Sequence, residues 1–501
     1  MKKLIVILLA LTMVASLFTA CGGSATNTGS GGNGDNGNGT QNGVPGVDDN
    51  GVIRVWVGEE SAEFYQKVCD EYAAANPDFG YKIEVKGMDT GSVAGTITND
   101  PTAAADIYTV AHDNIGKLAA TQCAKPITGE ALLAQVLADN PASFQKVIYS
   151  NLNDVKYLYG VPYISQALFL YYNKAYVTEE QALSFEGMQE AAKAAGVKAV
   201  TVTGDDGFNM SFALLAQRVS DHNTTVKIYE DAEPVSGGSK GESFCQGDDT
   251  VAVYRWLQAF AADPNGFKWA SSDGWEADFN NDNVARGLGV LGVIGGAWHY
   301  NSAKAAVGES NLGIALIPTF TLTAEACEGL TGVAAGDVYR GGTFADCKCF
   351  MINANSEGTK YPKEQDLIMY LSSKEIQNRS YLECMNVPAY VGAAEYIKQC
   401  YEEGKVTESE YNLAAMQVSM AEWGIPQPFV TGTLNTYYYS KNGPAVLRAI
   451  VDKTAYPTTG DIILQETESL DGIRKALYMV EYLWMHGVNP KEFPANLPDK
   501  A

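Results

Sequence analysis

The chain has 501 residues, 46% of them apolar and 10% aromatic, with a formal charge of −24. That length exceeds what one hydrophobic core serves, so two lobes are expected, and the apolar content excludes a disordered or collagenous chain. An acidic body of this kind repels DNA, RNA and anionic lipid, which excludes nucleic acid as a partner.

Lys2 and Lys3 open the chain, Leu4 to Leu17 is an apolar run, and Thr19-Ala20 is a small-residue exit. Residues 1–20 therefore read as an export signal, too short and wrongly flanked to span a membrane. No later stretch is apolar enough to cross a bilayer. Leu17-Phe18-Thr19-Ala20-Cys21 resembles the lipobox of bacterial lipoproteins, although Phe18 stands where an aliphatic residue is usual. That resemblance implies an acylated Cys21 as the mature N-terminus, holding the protein to the outer face of the cytoplasmic membrane; two or more acyl chains make such an anchor stable. Residues 22–50 are nearly all Gly, Asn, Ser, Thr and Asp. As a flexible coil, about 28 such residues reach roughly 30 Å, a tether between anchor and body.

Val52–Val57 reads as the first strand. Ser61 is placed to cap a helix running to about Asn76, with Phe64, Val68, Tyr72 and Ala75 on one face and Pro77 beyond its end. Tyr81–Met88 and Asp106–Ala111 read as strands, and a helical segment begins at Asp113. Leu168–Tyr172 is strand-like, and Thr178-Glu179-Glu180-Gln181 is a capping box opening a helix to about Ala195. Strands follow at Val197–Val202, Leu288–Ile294, Leu312–Ile317 and Cys349–Asn353, with a helix over Thr250–Ala262. Alternating strands and helices predict α/β layers with largely parallel sheets.

Ligands on such sheets sit beyond the carboxyl ends of the strands. Four polar-aromatic clusters fall there: Gly58-Glu59-Glu60, Ala111-His112-Asp113-Asn114, Gly204 to Phe208, and Gly296-Ala297-Trp298-His299-Tyr300. Carboxylates make short, directional hydrogen bonds to sugar hydroxyls, and flat aromatic faces cover the C–H faces of pyranose rings. Such clusters suit a sugar cleft.

Other chemistry finds little support. His112-Asp113 as a catalytic dyad lacks a G-x-S-x-G nucleophile, and the four histidines form no HExxH or Cys/His zinc pattern. No phosphate-binding glycine loop is present, and Asp278 to Asn283 lacks the glycine and glutamate of a calcium loop and reads as a capped turn. No cofactor or metal is expected. Glu59, Glu60, Asp113, Asp205 and Asp206 include enough carboxylates for a glycosidase pair, but such a pair is defined by a separation that sequence does not carry. Eight cysteines follow Cys21, with free, buried thiols expected ahead of a disulfide framework; on a strand, Cys347 and Cys349 would share a face about 6.6 Å apart.

The segments DIYTVAHDNIG (106–116), QALFLYYNKAYV (166–177), GLGVLGVIGGAWHY (287–300), LGIALIPTF (312–320) and CFMINANS (349–356), with YLSSKEIQNRSYLE (370–383) and IPQPFV (425–430), fall in an order and spacing that resembles the maltose/maltodextrin-binding proteins, the extracytoplasmic solute-binding components of ABC importers. The similarity runs from Val52 to the C-terminus. It implies an α/β, two-lobed fold of the type II periplasmic-binding class, with lobe 1 over 51–164 and 350–412 and lobe 2 over 165–343 and 413–501. Hinges would lie near 164–166, 344–349 and 412–415. It also implies a monomer that captures malto-oligosaccharides and hands them to a membrane permease, with no catalysis. By position, Asp113 would accept hydrogen bonds from glucosyl hydroxyls, Trp298 would stack on a ring, and Phe208 falls at a stacking tyrosine. One of Tyr437, Tyr438 and Tyr439, with Tyr438 and Tyr439 foremost, falls near the last stacking aromatic, Glu59 or Glu60 falls at the acidic turn after the first strand, and Gln166 and Asp206 count among the ligand contacts. His112 would be a structural neighbour. Val110, Asn114 and Gln166 replace a tryptophan, an arginine and a carboxylate of the family, and insertions near 268–282 and 324–342 bear on the cleft. Chains longer than maltose are therefore expected. A secreted glycoside hydrolase, or a binder of another oligosaccharide on the same fold, is the alternative.

Overall fold

Residue alternation in the first strand already sets the plan: Ile53, Val55 and Val57 are buried and the residues between them are less so. The computed structural model describes residues 51–152, 155–222, 247–271, 274–426, 442–454 and 467–486. In chain order the main elements are β1 (Val52–Gly58), α1 (Ala62–Ala75), β2 (Lys82–Met88), β3 (Ile107–Ala111), α2 (Ile115–Ala120), β4 (Val161–Gln166) and β5 (Phe169–Asn173). They continue with α3 (Phe185–Ala195), β6 (Lys198–Thr203), α4 (Gly207–Leu214), α5 (Asp248–Ala262), β7 (Phe267–Ala270), β8 (Val290–Gly295) and α6 (Tyr300–Val307). Then come β9 (Leu312–Ala315), β10 (Thr343–Asn353), α7 (Lys374–Cys384), α8 (Glu408–Glu422) and β11 (Gly424–Pro426).

Two sheets carry the architecture. One has the order β11-β10-β3-β1-β2, with β4 also paired on β10; the other has the order β7-β6-β8-β5-β9. Each is mixed, against the expectation of largely parallel sheets. In the first, β10 runs antiparallel to β3 and β4; in the second, β5 runs antiparallel to β8 and β9. The antiparallel strands are those at the crossings between sheets: β5 enters the second sheet only two residues after β4 leaves the first, and β10 returns from the second core into the first, so neither follows a helical crossover within its own sheet.

Each sheet owns a core. The first packs residues from 53 to 164 together with Cys347 to Leu371; the second packs Ala167 to Phe344 together with residues from 413 to 480. The chain passes between cores at residues 164–167 and again within β10, whose Phe344 belongs to one core and whose Cys347 belongs to the other. A smaller cluster, including Tyr381, Ile397, Cys400 and Ala414, joins α7 to α8.

Several local expectations are corrected. The buried face of α1 is Phe64, Tyr65, Val68 and Cys69, while Tyr72 is half-buried and Ala75 exposed. Thr178 and Gln181 do exchange the two capping-box hydrogen bonds, at 3.2 and 3.1 Å, but these close only a 3-10 turn over Gln181–Leu183. Ser184 then returns to extended backbone (φ −137°, ψ 150°) and itself caps α3, its hydroxyl accepting from Gly187 N at 3.0 Å. Asn280 caps the short helix Asn281–Ala285, accepting from Asp282 N at 2.9 Å, and Asp278 pairs with Lys268 at 2.6 Å.

The seven described cysteines are free. Cys347 and Cys349 lie closer than a regular strand allows, Sγ to Sγ 3.6 Å. The register between β10 and β4 slips between Lys348 and Cys349, where the partner passes from Ile164 to Pro162. Pro162 has no N–H for the ladder, and bulges form readily at such places.

Candidate functional site

The four turns that follow β1, β3, β6 and β8 open onto one cleft of about 1150 Å³, lined from both sheets. Glu59, Glu60, Asp113, Gln166, Asp206, Phe208 and Trp298 all line it. The structure thus brings together every described residue that sequence singles out as a ligand contact. Tyr438, Tyr439 and Cys21 lie outside the described residues.

Trp298 is held by its own backbone. It sits on the 3-10 turn Ala297–His299 after β8, 46% exposed. Its ring folds back over Gly296: a Cβ there would meet Trp298 ring carbon at 2.1 Å, and one on Gly295 would meet His299 Nδ1 at 2.1 Å. Two successive glycines are needed because two rings approach the chain this closely. Tyr171 Oη donates to Gly296 O at 2.9 Å and pins the turn to the sheet. Phe208 stands beside Trp298, ring centroids 5.9 Å apart, and rests against Phe344 at 5.8 Å. His299 packs on Trp275 at 4.9 Å, and burial pushes its pKa down to about 4, so it is neutral at physiological pH.

The acidic turn Glu59–Ser61 is clamped from across the wall. Ser61 occupies the N-cap position of α1, yet its hydroxyl makes no capping bond; it accepts from Asn386 Nδ2 at 3.0 Å. Asn386 follows Met385, whose left-handed backbone (φ 58°) ends α7 and turns the chain along the cleft. Val387 O in turn accepts from Ser165 N at 2.9 Å. Lys348, mostly buried on β10, places its ammonium 3.6 Å from Glu60 Oε1. Gln417 of α8 donates to Ser165 O and reaches the same wall.

His112 and Asp113 separate in role. His112 is 2% exposed and lies outside the lining, its Nδ1 2.5 Å from Oδ1 of Asp346 on β10, whereas Asp113 lines the cleft beside Asn114. Asn114 Nδ2 donates to Asp113 Oδ1 at 2.8 Å. Asp206 caps α4, accepting from Phe208 N at 3.0 Å and Asn209 Nδ2 at 2.5 Å. Burial lifts its pKa above the usual carboxylate range, and those hydrogen bonds offset only part of the rise. Asp206 therefore has a structural duty that sequence did not reveal.

Sequence reasoning missed Asp89, Asp346, Lys348, Glu383, Asn386 and Gln417, all in the lining. Lys348 had a signal: if Cys347 and Cys349 are core on a strand, the residue between them faces the other way. Asn386, just past the end of α7, and Gln417, within α8, carry no such pattern.

Residues 67–395 match the family model described as bacterial extracellular solute-binding protein. Among solved structures, a maltodextrin-binding protein of L. casei, without ligand, is 18% identical over 86% of this chain and 98% of that one, TM-score 0.62. The extracellular solute-binding protein of Staphylococcus aureus in complex with maltose is 18% identical over 87% and 97%, TM-score 0.57. A protein of Streptococcus pneumoniae in complex with maltopentaose is 16% identical over 86% and 99%, TM-score 0.56. At these identities the likeness is one of fold. No curated protein matches the chain.

Proposed function

The chain belongs to the bacterial extracellular solute-binding proteins, and on that premise we propose that it captures malto-oligosaccharides in its cleft and delivers them, unreacted, to the permease of an ABC importer. One observation carries this reading. An exposed tryptophan face, a neighbouring phenylalanine and a ring of carboxylates and amides converge on one cavity of about 1150 Å³ from two separate cores. Flat apolar faces and directional acceptors are what pyranose rings and their hydroxyls require. Neighbouring folds in complex with maltose and maltopentaose support the choice of sugar.

Trp298 stacks on one glucosyl ring and Phe208 borders the next. Asp113, Glu59, Glu60 and Gln166 take hydroxyls, Asp206 holds Phe208 in place, and Tyr438 or Tyr439 supplies the last stacking aromatic. Lobe 1 comprises 51–164 and 350–412, lobe 2 comprises 165–343 and 413–501, and they hinge near 164–166, 344–349 and 412–415. Closure then follows if the sugar contacts the closed form better than the open one. Capture at roughly micromolar Kd needs about −8 kcal/mol, within reach of two stacked rings and a few charge-assisted hydrogen bonds after closure costs. The working side is extracytoplasmic, and Cys21, acylated, tethers the body through residues 22–50.

Calorimetric titration tests the reading. Maltotetraose should bind at micromolar Kd and more tightly than maltose; equal affinity for maltose removes the preference for longer chains, and no binding of either removes the glucan. Recovery of intact maltotetraose after incubation separates a binder from a hydrolase, which returns shorter products.

A further inference from the structure

The cleft wall is chemically lopsided. Among its described residues, seven carboxylates face a single cationic side chain, Lys348. That ammonium is already matched by Glu60 at 3.6 Å. Glu383 reaches back to Lys67 at 3.0 Å, which brings one more cation to the margin and still leaves the acids far ahead. Neither Glu59 nor Asp89 has an ion-pair partner among the described residues; Asp89 accepts only from the backbone of Gly91 and Ser92, at 3.2 and 3.1 Å.

A second, independent feature points the same way. Gln417 is 1% exposed and lines this cavity, yet with its amide nitrogen committed to Ser165 O its Oε1 has no hydrogen-bond partner among the described residues. A buried acceptor without a donor costs free energy until something supplies one. The wall thus joins one buried acceptor that has no donor to an excess of negative charge. A neutral sugar hydroxyl offers one donor and itself needs one, whereas a protonated amine offers three donors and a charge and accepts nothing.

We infer that the cleft selects its glycan by charge, taking oligosaccharides that carry a primary amine in preference to neutral ones of the same length and turning away those that carry a uronate or phosphate. This deepens the proposed sugar reading and rests on it. A shared cavity wall keeps these carboxylates less screened than exposed surface charges, and salt weakens whatever part stays exposed.

The test compares maltotetraose with its 6-amino-6-deoxy and 6-carboxyl derivatives on the full chain by calorimetry. At low salt the amine should bind at least tenfold more tightly than the neutral chain, the gap should narrow at high salt, and the carboxylate should bind more weakly than either. In the double variant Glu59→Gln, Asp89→Asn the amine's advantage should shrink by more than the neutral chain's affinity does. An amine that binds no better than maltotetraose overturns the inference and leaves the sugar reading standing. If no glucan binds, that reading fails, and glucosamine oligomers against N-acetylglucosamine oligomers pose the same charge question on another backbone. Preference for the amine there upholds selection by charge, and none refutes it.

Discussion

Replacing Trp298 with alanine removes the largest flat face in the cleft, and the structure sets the size of the loss. The ring is 46% exposed; for a side chain presenting about 250 Å², that is roughly 110 Å² of open surface. A pyranose covering about two-thirds of it buries ~75 Å², which at ~25 cal/mol per Å² is ~2 kcal/mol, or about 20-fold in Kd. The fold should survive, because a half-exposed ring leaves no sealed cavity when it is cut away. Calorimetry with maltotetraose reads the affinity, and thermal melting of the free variant, expected within about 4 °C of wild type, reads the fold. A Kd within twofold of wild type, with the melt unchanged, would remove Trp298 from the site and the stacking argument with it.

Gly296→Ala tests how that ring is held: its Cβ would meet the ring at 2.1 Å, so affinity should fall about as far as in Trp298→Ala, with the protein still folded. Wild-type affinity would mean the ring's seat does not matter. Asp113→Asn exchanges a charge-assisted for a neutral hydrogen bond, and a loss of about 1 kcal/mol, roughly fivefold in Kd, is expected by the same titration. Glu364, fully buried on the helix Lys360–Leu371, has its pKa pushed up to about 7, first by burial and further by Asp106, with Ser356, Lys360 and Lys125 pulling back. A raised carboxyl pKa means the folded state holds a proton that the unfolded chain loses from about pH 4.5, so stability falls between there and about 7. Glu364→Gln should therefore be more stable than wild type at pH 8, by up to ~3 kcal/mol, and equal to it near pH 4.5 in urea melts; an equal gap at both pH values contradicts the titration. Cys21→Ala should shift the protein from the membrane fraction to the culture medium, and retention at the membrane refutes the anchor.

Much of the site was legible because strand-end turns announce themselves locally. Glycines and acids that interrupt an apolar run mark where a strand stops, whereas the room that Gly295 and Gly296 leave for the rings of His299 and Trp298 came from the structure. Helix starts were less secure. The Thr178 box formed its two bonds and still lost α3 to Ser184, because Ser184 returns to extended backbone and Phe185 goes into the core as the helix begins. Sheet direction was misread for a related reason: the alternation of strands and helices says nothing of a strand such as β10, which returns to pair antiparallel with β3 and β4.

By itself the sequence determined the α/β class, the acidic character and the four strand-end clusters that hold Glu59, Asp113, Phe208 and Trp298, since each depends on neighbours within a few positions. Only the tertiary structure decided that these turns share a cavity with Lys348, Asn386 and Gln417, and that His112 answers to Asp346, 234 positions away. Those are contacts between distant segments, set by how two cores pack around the strands that cross between them, and no local pattern encodes which distant residue will arrive.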